Sequence, residues 1–193
     1  AHTVYKNGVS DWCANCHETF HSANTGAFVH PIQAMGSTIA GNYNAYVSSD
    51  QQTGGSEATS YSGLVPFEAV NVDLTAVDSS NYTQGPTSQD QVMCLTCHRA
   101  PASAFGDAAR WDMSETFLID SHPNAGDIDF VQSDVDNAYY NYTFVTNQRS
   151  LCNKCHNKDY GDIGYFSQSS LPLPQPDPIT PNGGNKYPAR SSN

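Results

Sequence analysis

The chain has 193 residues and a formal net charge of −11, from 19 acidic and 8 basic residues. Such an acidic balance argues against nucleic acid or an anionic membrane surface as a partner. No apolar run is long enough to span a bilayer, and the start at Ala1 without a methionine suits a mature, exported protein.

The aliphatic content is low for a packed domain. Leu, Ile, Val and Phe together make up about 17% of the residues, and less than roughly 20%, with a high net charge, is typical of disordered chains. The 14 glycines and 11 prolines favour turns and extended chain. We therefore expect either disorder or a large apolar cofactor that supplies the core.

In chain order, the sequence predicts mostly irregular coil with short α-helices and little strand. Short helices are predicted at the three Cys-x-x-Cys-His segments, at 108–119 and at 135–142. Residues 36–92, rich in Gly, Ser, Thr, Asn and Tyr, are predicted to form an irregular covering loop with one short strand pair. The end of the chain, 171–193, is predicted to be a Pro-rich, extended tail that follows a single domain at 1–170.

All six cysteines fall in three copies of one motif, Cys-x-x-Cys-His, which is typical of c-type haem attachment. Two cysteines three apart lie on one side of a helical turn, where each can form a thioether to a haem vinyl group. The next residue directs its imidazole at the iron as the proximal ligand. The sequence therefore predicts three covalent c haems, with attachment at Cys13, Cys16, Cys94, Cys97, Cys152 and Cys155 and proximal ligands His17, His98 and His156. The domain at 1–170 is accordingly predicted to be a triheme cytochrome c domain.

Disulfides, redox dithiols and zinc sites are the other common uses of such cysteines. Zinc ribbons combine Cys-x-x-Cys pairs two by two, and three is an odd number. None of these uses requires a histidine directly after the second cysteine. Here it follows in all three copies, although the chain has only 7 histidines, so haem attachment is the favoured interpretation.

Four histidines outside the motifs are candidates for the distal faces of the irons: His2, His21, His30 and His122. Three bis-His haems need three of them, so the supply exceeds the demand by one. His30 and His122 each precede a proline, which favours an extended loop from which a side chain can reach a haem. His2 is an alternative distal ligand or an unbound residue of a fraying terminus.

His21 follows His17 by four residues. On a helix these two positions share a face and lie too close together to hold opposite sides of one iron. If His21 binds iron, it therefore serves a different haem from the one at Cys13 and Cys16. With enough histidines for every axial position, no open coordination site is required, which favours electron transfer over substrate chemistry.

Two further residue types are weighed as haem contacts. The methionines are weaker candidates for iron ligation than the histidines: Met35, Met93 and Met113. Arg99 and Arg110 are candidates for pairing haem propionates, with surface exposure as an equal alternative for both.

Three segments carry a resemblance to a known family. They are His2 to His21 with Cys-Ala-Asn-Cys-His-Glu-Thr-Phe-His, 92–111 with Val-Met-Cys-Leu-Thr-Cys-His-Arg-Ala, and 150–156 with Ser-Leu-Cys-Asn-Lys-Cys-His. They resemble extracellular multihaem cytochromes of metal-reducing bacteria that polymerise into conductive filaments. The resemblance implies a bis-His haem chain and, at the position of His21, a ligand to a haem of the adjacent subunit. Known subunits mostly carry four or more haems, and relatives often have His where Pro101 stands here.

We therefore expect a non-enzymatic electron-transfer protein, a subunit of an extracellular or cell-surface conducting filament. The expected partners are copies of itself, other redox cytochromes and extracellular acceptors such as metal oxides. A soluble monomeric carrier, periplasmic or extracellular, is the alternative. A haem reductase of nitrogen or sulfur oxyanions is disfavoured by the surplus of histidine and by an acidic surface that repels anions.

Overall fold

A computed structural model of the chain describes residues 3–17, 32–78, 80–100, 102–121, 124–142 and 144–156. All of them lie within one compact unit, Ala1–Asp159. The tail predicted at 171–193 lies outside the described residues, so the tail and its boundary at 170 stay predictions. Among the described residues, no helix has the length and apolarity needed to cross a membrane.

The described chain is mostly irregular and contains short helices joined by long connections. The α-helices are α1 (Val9–His17), α2 (Gly36–Ala45), α3 (Cys94–Cys97), α4 (Gln132–Ala138) and α5 (Asn153–His156). Single 3-10 turns occur at Glu57–Thr59, Gly106–Ala108 and Leu118–Asp120. Strand β1 (Tyr5–Lys6) pairs in parallel with β2 (Glu68–Ala69).

The predicted helices at the three cysteine motifs are confirmed as α1, α3 and α5. The helix predicted at 108–119 is wrong, since that segment holds parts of two 3-10 turns with irregular chain between them. Asp107 and Ala108 both have a φ of 54°, which lies outside the α-helical region. The helix predicted at 135–142 is observed earlier, as α4, and Tyr140 and Asn141 beyond it have positive φ.

Residues 36–92 contain a helix and much of the apolar core, so the prediction of a covering loop is wrong for this part. The core is shared with later segments and comprises Met35, Ala40, Tyr43, Tyr46, Leu64, Val65, Phe67, Ala69, Val92, Trp111, Leu118, Tyr139 and Leu151. Tyr43 is 0% exposed, and its ring meets Phe67 edge-on at 5.6 Å between centroids. Such aromatic pairs add about 0.5–1.5 kcal/mol to the area they bury. The chain therefore has an aromatic-rich core of its own.

Candidate haem-attachment sites

The first motif lies on α1, whose start is held by a carboxylate from β2. Glu68 is 1% exposed and accepts hydrogen bonds from the backbone N–H groups of Gly8 (2.9 Å) and Ser10 (2.8 Å). N–H groups at the start of a helix lack intrahelical acceptors, and a negative charge is favourable there. Glu68 therefore fixes the beginning of the helix that carries Cys13 and Cys16.

The same residue also ties the first motif to the second. The backbone of Glu68 exchanges two hydrogen bonds of 2.9 Å with Gln91, three residues before Cys94. The backbone N–H of Cys94 donates to the Ser10 hydroxyl at 3.1 Å. The start of α1, strand β2 and the segment entering α3 thus form one hydrogen-bonded unit. No motif or pattern in the sequence singles out Glu68 or Ser10 for this role.

The second motif is anchored in the core through the residue between its cysteines. The Thr96 hydroxyl donates to the Pro66 carbonyl at 2.8 Å and accepts from the Met93 N–H at 3.0 Å. Both Thr96 and Met93 are buried. The short helix α3 is therefore held from inside, while His98, its first residue after the second cysteine, is exposed.

His98 is oriented by a backbone carbonyl. Its Nδ1 lies 2.8 Å from the Asp107 carbonyl oxygen. Since a carbonyl only accepts, Nδ1 carries a hydrogen, so in the neutral imidazole the lone pair that an iron ligand requires is on Nε2. The backbone N–H of Arg99 bonds to the Ala108 carbonyl at 2.6 Å, and the backbone N–H of Arg110 bonds to the Cys97 carbonyl at 2.9 Å. The loop that supplies the Asp107 carbonyl is therefore fastened to the second motif.

The third motif, with Cys155 and His156 on α5, is fastened to α2. Lys154 is 3% exposed, and its ammonium donates to the carbonyls of Tyr43 (3.2 Å) and Tyr46 (3.3 Å). The ammonium also lies 4.2 Å from the centre of the Tyr43 ring. Burial lowers the pKa of Lys154 to about 8. Asn42 adds a side-chain bond of 2.9 Å to the Cys155 carbonyl.

The three motifs are neighbours in space, in chain order. The backbone bond from Cys94 to Ser10 brings Cys13 and Cys94 close together, and Cys97 lies within electrostatic range of Cys152 and Cys155. The second motif therefore has the first beside one of its cysteines and the third beside the other.

The thiols of Cys97 and Cys155 are not activated as nucleophiles. Burial raises the pKa of each to about 12, whereas reactive thiols have a lowered pKa. All six cysteines lie in the described ranges and none is in a disulfide. Within those ranges no three His, Cys, Asp or Glu side chains are grouped to hold a metal ion.

The residues present fit haem c. Each motif offers two thiols three residues apart and an adjacent exposed imidazole, His17, His98 or His156. Buried polar atoms beside the second motif also lack a hydrogen-bond partner among the described residues, namely Nε and Nη2 of Arg99 and Nε1 of Trp111. The four predicted distal ligands lie outside the described residues, so their role stays a prediction: His2, His21, His30 and His122.

The comparisons with known proteins find a c-type cytochrome. No family model matches the chain. It is 36% identical over 180 residues to the C-type cytochrome OmcS of Geobacter sulfurreducens, a match that covers 81% of this chain and 41% of the relative. The resemblance to filament-type multihaem cytochromes is confirmed. The chain spans less than half the length of this relative.

Two solved structures share the fold. A cryo-EM structure of the OmcS nanowires from Geobacter sulfurreducens matches with a TM-score of 0.64 and 34% identity, over 81% of this chain and 44% of that one. The Outer Membrane Cytochrome S filament from the same organism matches with a TM-score of 0.65 and 35% identity, over 82% and 44%. The predicted coil-rich fold with short helices and little strand is therefore confirmed, and these two filament structures share it.

Proposed function

We propose that this chain carries electrons through three covalently attached c haems, as a subunit of an extracellular conducting filament. The observation that carries the proposal is the proximity of the three motifs. The Cys94 N–H bonds to the Ser10 hydroxyl at the start of α1 at 3.1 Å, and Cys97 lies within electrostatic range of Cys152 and Cys155. Adjacent attachment sites hold adjacent cofactors, and transfer over short distances needs no mobile carrier.

The motif residues would hold the cofactors. The six cysteines form the thioethers, and His17, His98 and His156 provide the proximal imidazoles. Haem iron, when bound, alternates between ferric and ferrous states and passes on one electron at a time. His30 and His122 are proposed as distal ligands, together with His21 or, as the alternative, His2. Bis-His ligation leaves no position for a substrate, so no enzymatic step is proposed.

The protein frame keeps the attachment sites at fixed positions. Ser10 links the first motif to the second, Thr96 fastens the second to the core, and Lys154 fastens the third to α2. Each bond is between segments far apart in sequence, so the chain cannot separate the sites without breaking its core. Rigid spacing and a buried environment are what a protein contributes to haem-to-haem transfer.

Filament formation rests on the similarity to the OmcS nanowire structures and on His21, the residue that cannot serve its own haem. We propose that His21 ligates a haem of the adjacent subunit. Copies of this chain are then its first partners, and other redox cytochromes and extracellular acceptors such as metal oxides its donors and acceptors. The proposed location is the cell surface or the extracellular space, with the periplasm as the alternative.

The test is expression in a host that matures c-type cytochromes, followed by intact-mass and pyridine-haemochrome measurement and electron microscopy. We expect three haems per chain, a low-spin spectrum and filaments. His21→Ala should shorten or abolish the filaments and leave one haem high-spin, while the neighbouring Thr19→Ala, which changes no ligand, should do neither.

Different outcomes would favour the rival functions. Monomers alone, with the haem spectrum of His21→Ala unchanged, would assign the chain to the soluble carriers. Binding of carbon monoxide by the unmodified protein would reveal an open coordination site and favour a reductase. Fewer than three haems per chain would contradict the triheme proposal.

A further inference from the structure

Two arginines near the second motif lie against one tyrosine ring. The guanidinium carbons of Arg99 and Arg110 are 4.7 and 4.9 Å from the centre of the Tyr140 ring. Cation–π contact with a single ring is favourable for each, but it leaves the N–H groups at the edge of a guanidinium without acceptors. The two arginines differ in the hydrogen-bond partners of those N–H groups.

Arg110 is used by the fold. It is 2% exposed, and its Nε donates to the Leu95 carbonyl at 2.5 Å and its Nη1 to the Gly63 carbonyl at 3.2 Å. These bonds fasten a residue inside the second motif to the chain before β2. Arg110 is therefore a structural arginine, and its donors are directed at backbone carbonyls.

Arg99 has the opposite environment. Its Nε and Nη2 are buried and have no hydrogen-bond partner among the described residues. A buried donor without an acceptor costs about 1–3 kcal/mol, and more when it is charged. Two such donors on one side chain therefore rarely lack acceptors. Nε and Nη2 lie on the same edge of the guanidinium, the edge that binds the two oxygens of a carboxylate side by side.

The position of Arg99 indicates which carboxylate its Nε and Nη2 would bind. Arg99 directly follows His98, the proximal imidazole of the second motif, and its backbone N–H shares a loop with the carbonyl that orients that imidazole. Haem c carries two propionate groups, so each attached haem brings carboxylates to this part of the molecule. We propose that the Nε–Nη2 edge of Arg99 binds a haem propionate and thereby raises the reduction potential of that haem.

The inference rests on the proposed haem attachment and adds a residue that tunes one cofactor. A propionate paired with a guanidinium contributes less negative charge to the iron's surroundings. The ferric state, which carries one more positive charge, is then stabilised less, and the potential is higher. Without the guanidinium, the same propionate favours the ferric state.

The experiment is spectroelectrochemical titration of the holoprotein and its Arg99→Gln, Arg99→Lys and Lys6→Gln variants, with haem content and resonance Raman propionate bands measured on each. Lys6 is exposed and bonds to the Val72 carbonyl, so Lys6→Gln controls for the loss of one positive charge. In Arg99→Gln we expect one haem to shift to lower potential, with its ferric-to-ferrous ratio raised roughly three- to tenfold at fixed ambient potential. Arg99→Lys keeps the positive charge but loses the paired N–H donors. We therefore expect a smaller shift of the reduction potential than in Arg99→Gln, with the propionate Raman bands changed as in Arg99→Gln.

The outcomes separate this inference from the proposed function. If the unmodified protein contains no covalent haem, the proposed function fails. If three haems are present in each variant but the potentials and propionate bands of both Arg99 variants match those of Lys6→Gln, the propionate assignment is overturned. If Arg99→Gln does not mature with haem, Arg99→Lys is the test, because it keeps the positive charge. Propionate bands equal to those of Lys6→Gln would then overturn the assignment.

Discussion

Replacing Glu68 by Gln is the sharpest test of how the first motif is held. The carboxylate accepts bonds of 2.9 and 2.8 Å from Gly8 and Ser10 at the start of α1, and hydrogen bonds to charged groups contribute about 1.5–3 kcal/mol each. The amide keeps one acceptor oxygen and presents an NH₂ group where the second oxygen was. One backbone N–H then loses its acceptor, and the helix start loses a negative charge.

We expect Glu68→Gln to lower the free energy of unfolding by about 2–3 kcal/mol, measured by urea denaturation of the holoprotein with circular dichroism. Glu68→Ala should cost more, about 3–5 kcal/mol, because both N–H groups lose their acceptor and a buried side chain is removed. The matched control is Glu57→Gln, the same change at an exposed carboxylate that bonds to Gln84. We expect it to stay within about 0.5 kcal/mol of the unmodified protein.

Amide hydrogen exchange shows which backbone hydrogen bonds the Glu68→Gln substitution weakens. The amide hydrogens of Gly8 and Ser10 should exchange faster in Glu68→Gln, whereas those of Glu68 and Gln91 bond to each other's carbonyls and should keep their protection. If the Glu68→Gln stability matched that of Glu57→Gln, or if Ser10 stayed protected, the carboxylate would not be what fixes the start of α1.

Three further changes have defined outcomes. Tyr43→Phe should lower the free energy of unfolding by about 1–3 kcal/mol in urea denaturation, because the buried hydroxyl donates to the Val65 carbonyl at 2.7 Å and accepts from the Ser62 N–H at 3.1 Å; an unchanged midpoint would contradict this. Ala108→Gly should raise the free energy of unfolding by up to about 1 kcal/mol, since the φ of 54° strains alanine but not glycine. A loss of stability would contradict backbone strain at residue 108. Replacing both cysteines of any one motif by serine should remove one haem per chain by intact mass, and full haem content would exclude thioether attachment there.

The sequence predicted the short helices at the three cysteine motifs because they depend on residues adjacent in the chain. Residues within one turn of a helix meet whatever the rest of the fold does. Glu68 could not be found in this way, since it contacts Gly8 across 60 residues. That contact exists only because β1 and β2 pair.

The apolar core was misjudged for a reason that lies in its composition. Counting aliphatic residues and phenylalanine leaves out the 11 tyrosines and 2 tryptophans, and Tyr43, Tyr46, Trp111 and Tyr139 are among the buried core residues. Helix α2 was missed because Gly, Ser, Thr and Asn are weak helix formers. It forms as an α-helix all the same, with Ala40 and Tyr43 buried against the core, so tertiary packing overrides propensity.

The residues between the paired cysteines differ among the motifs, and the difference bears on how the sites are held together. Thr96 and Lys154, in the second and third motifs, are buried and bond to carbonyls elsewhere in the core. Asn15, at the matching position of the first motif, is exposed and bonds to the carbonyls of Asp11 and Trp12 in its own helix. The first motif is therefore positioned from the start of α1, through Glu68 and Ser10, rather than from within the motif. We expect a shift at that start to change the distance between Cys13 and Cys94 and to leave Cys97 and Cys155 in place. The spacing of the first two proposed haems would then depend on Glu68 and Ser10.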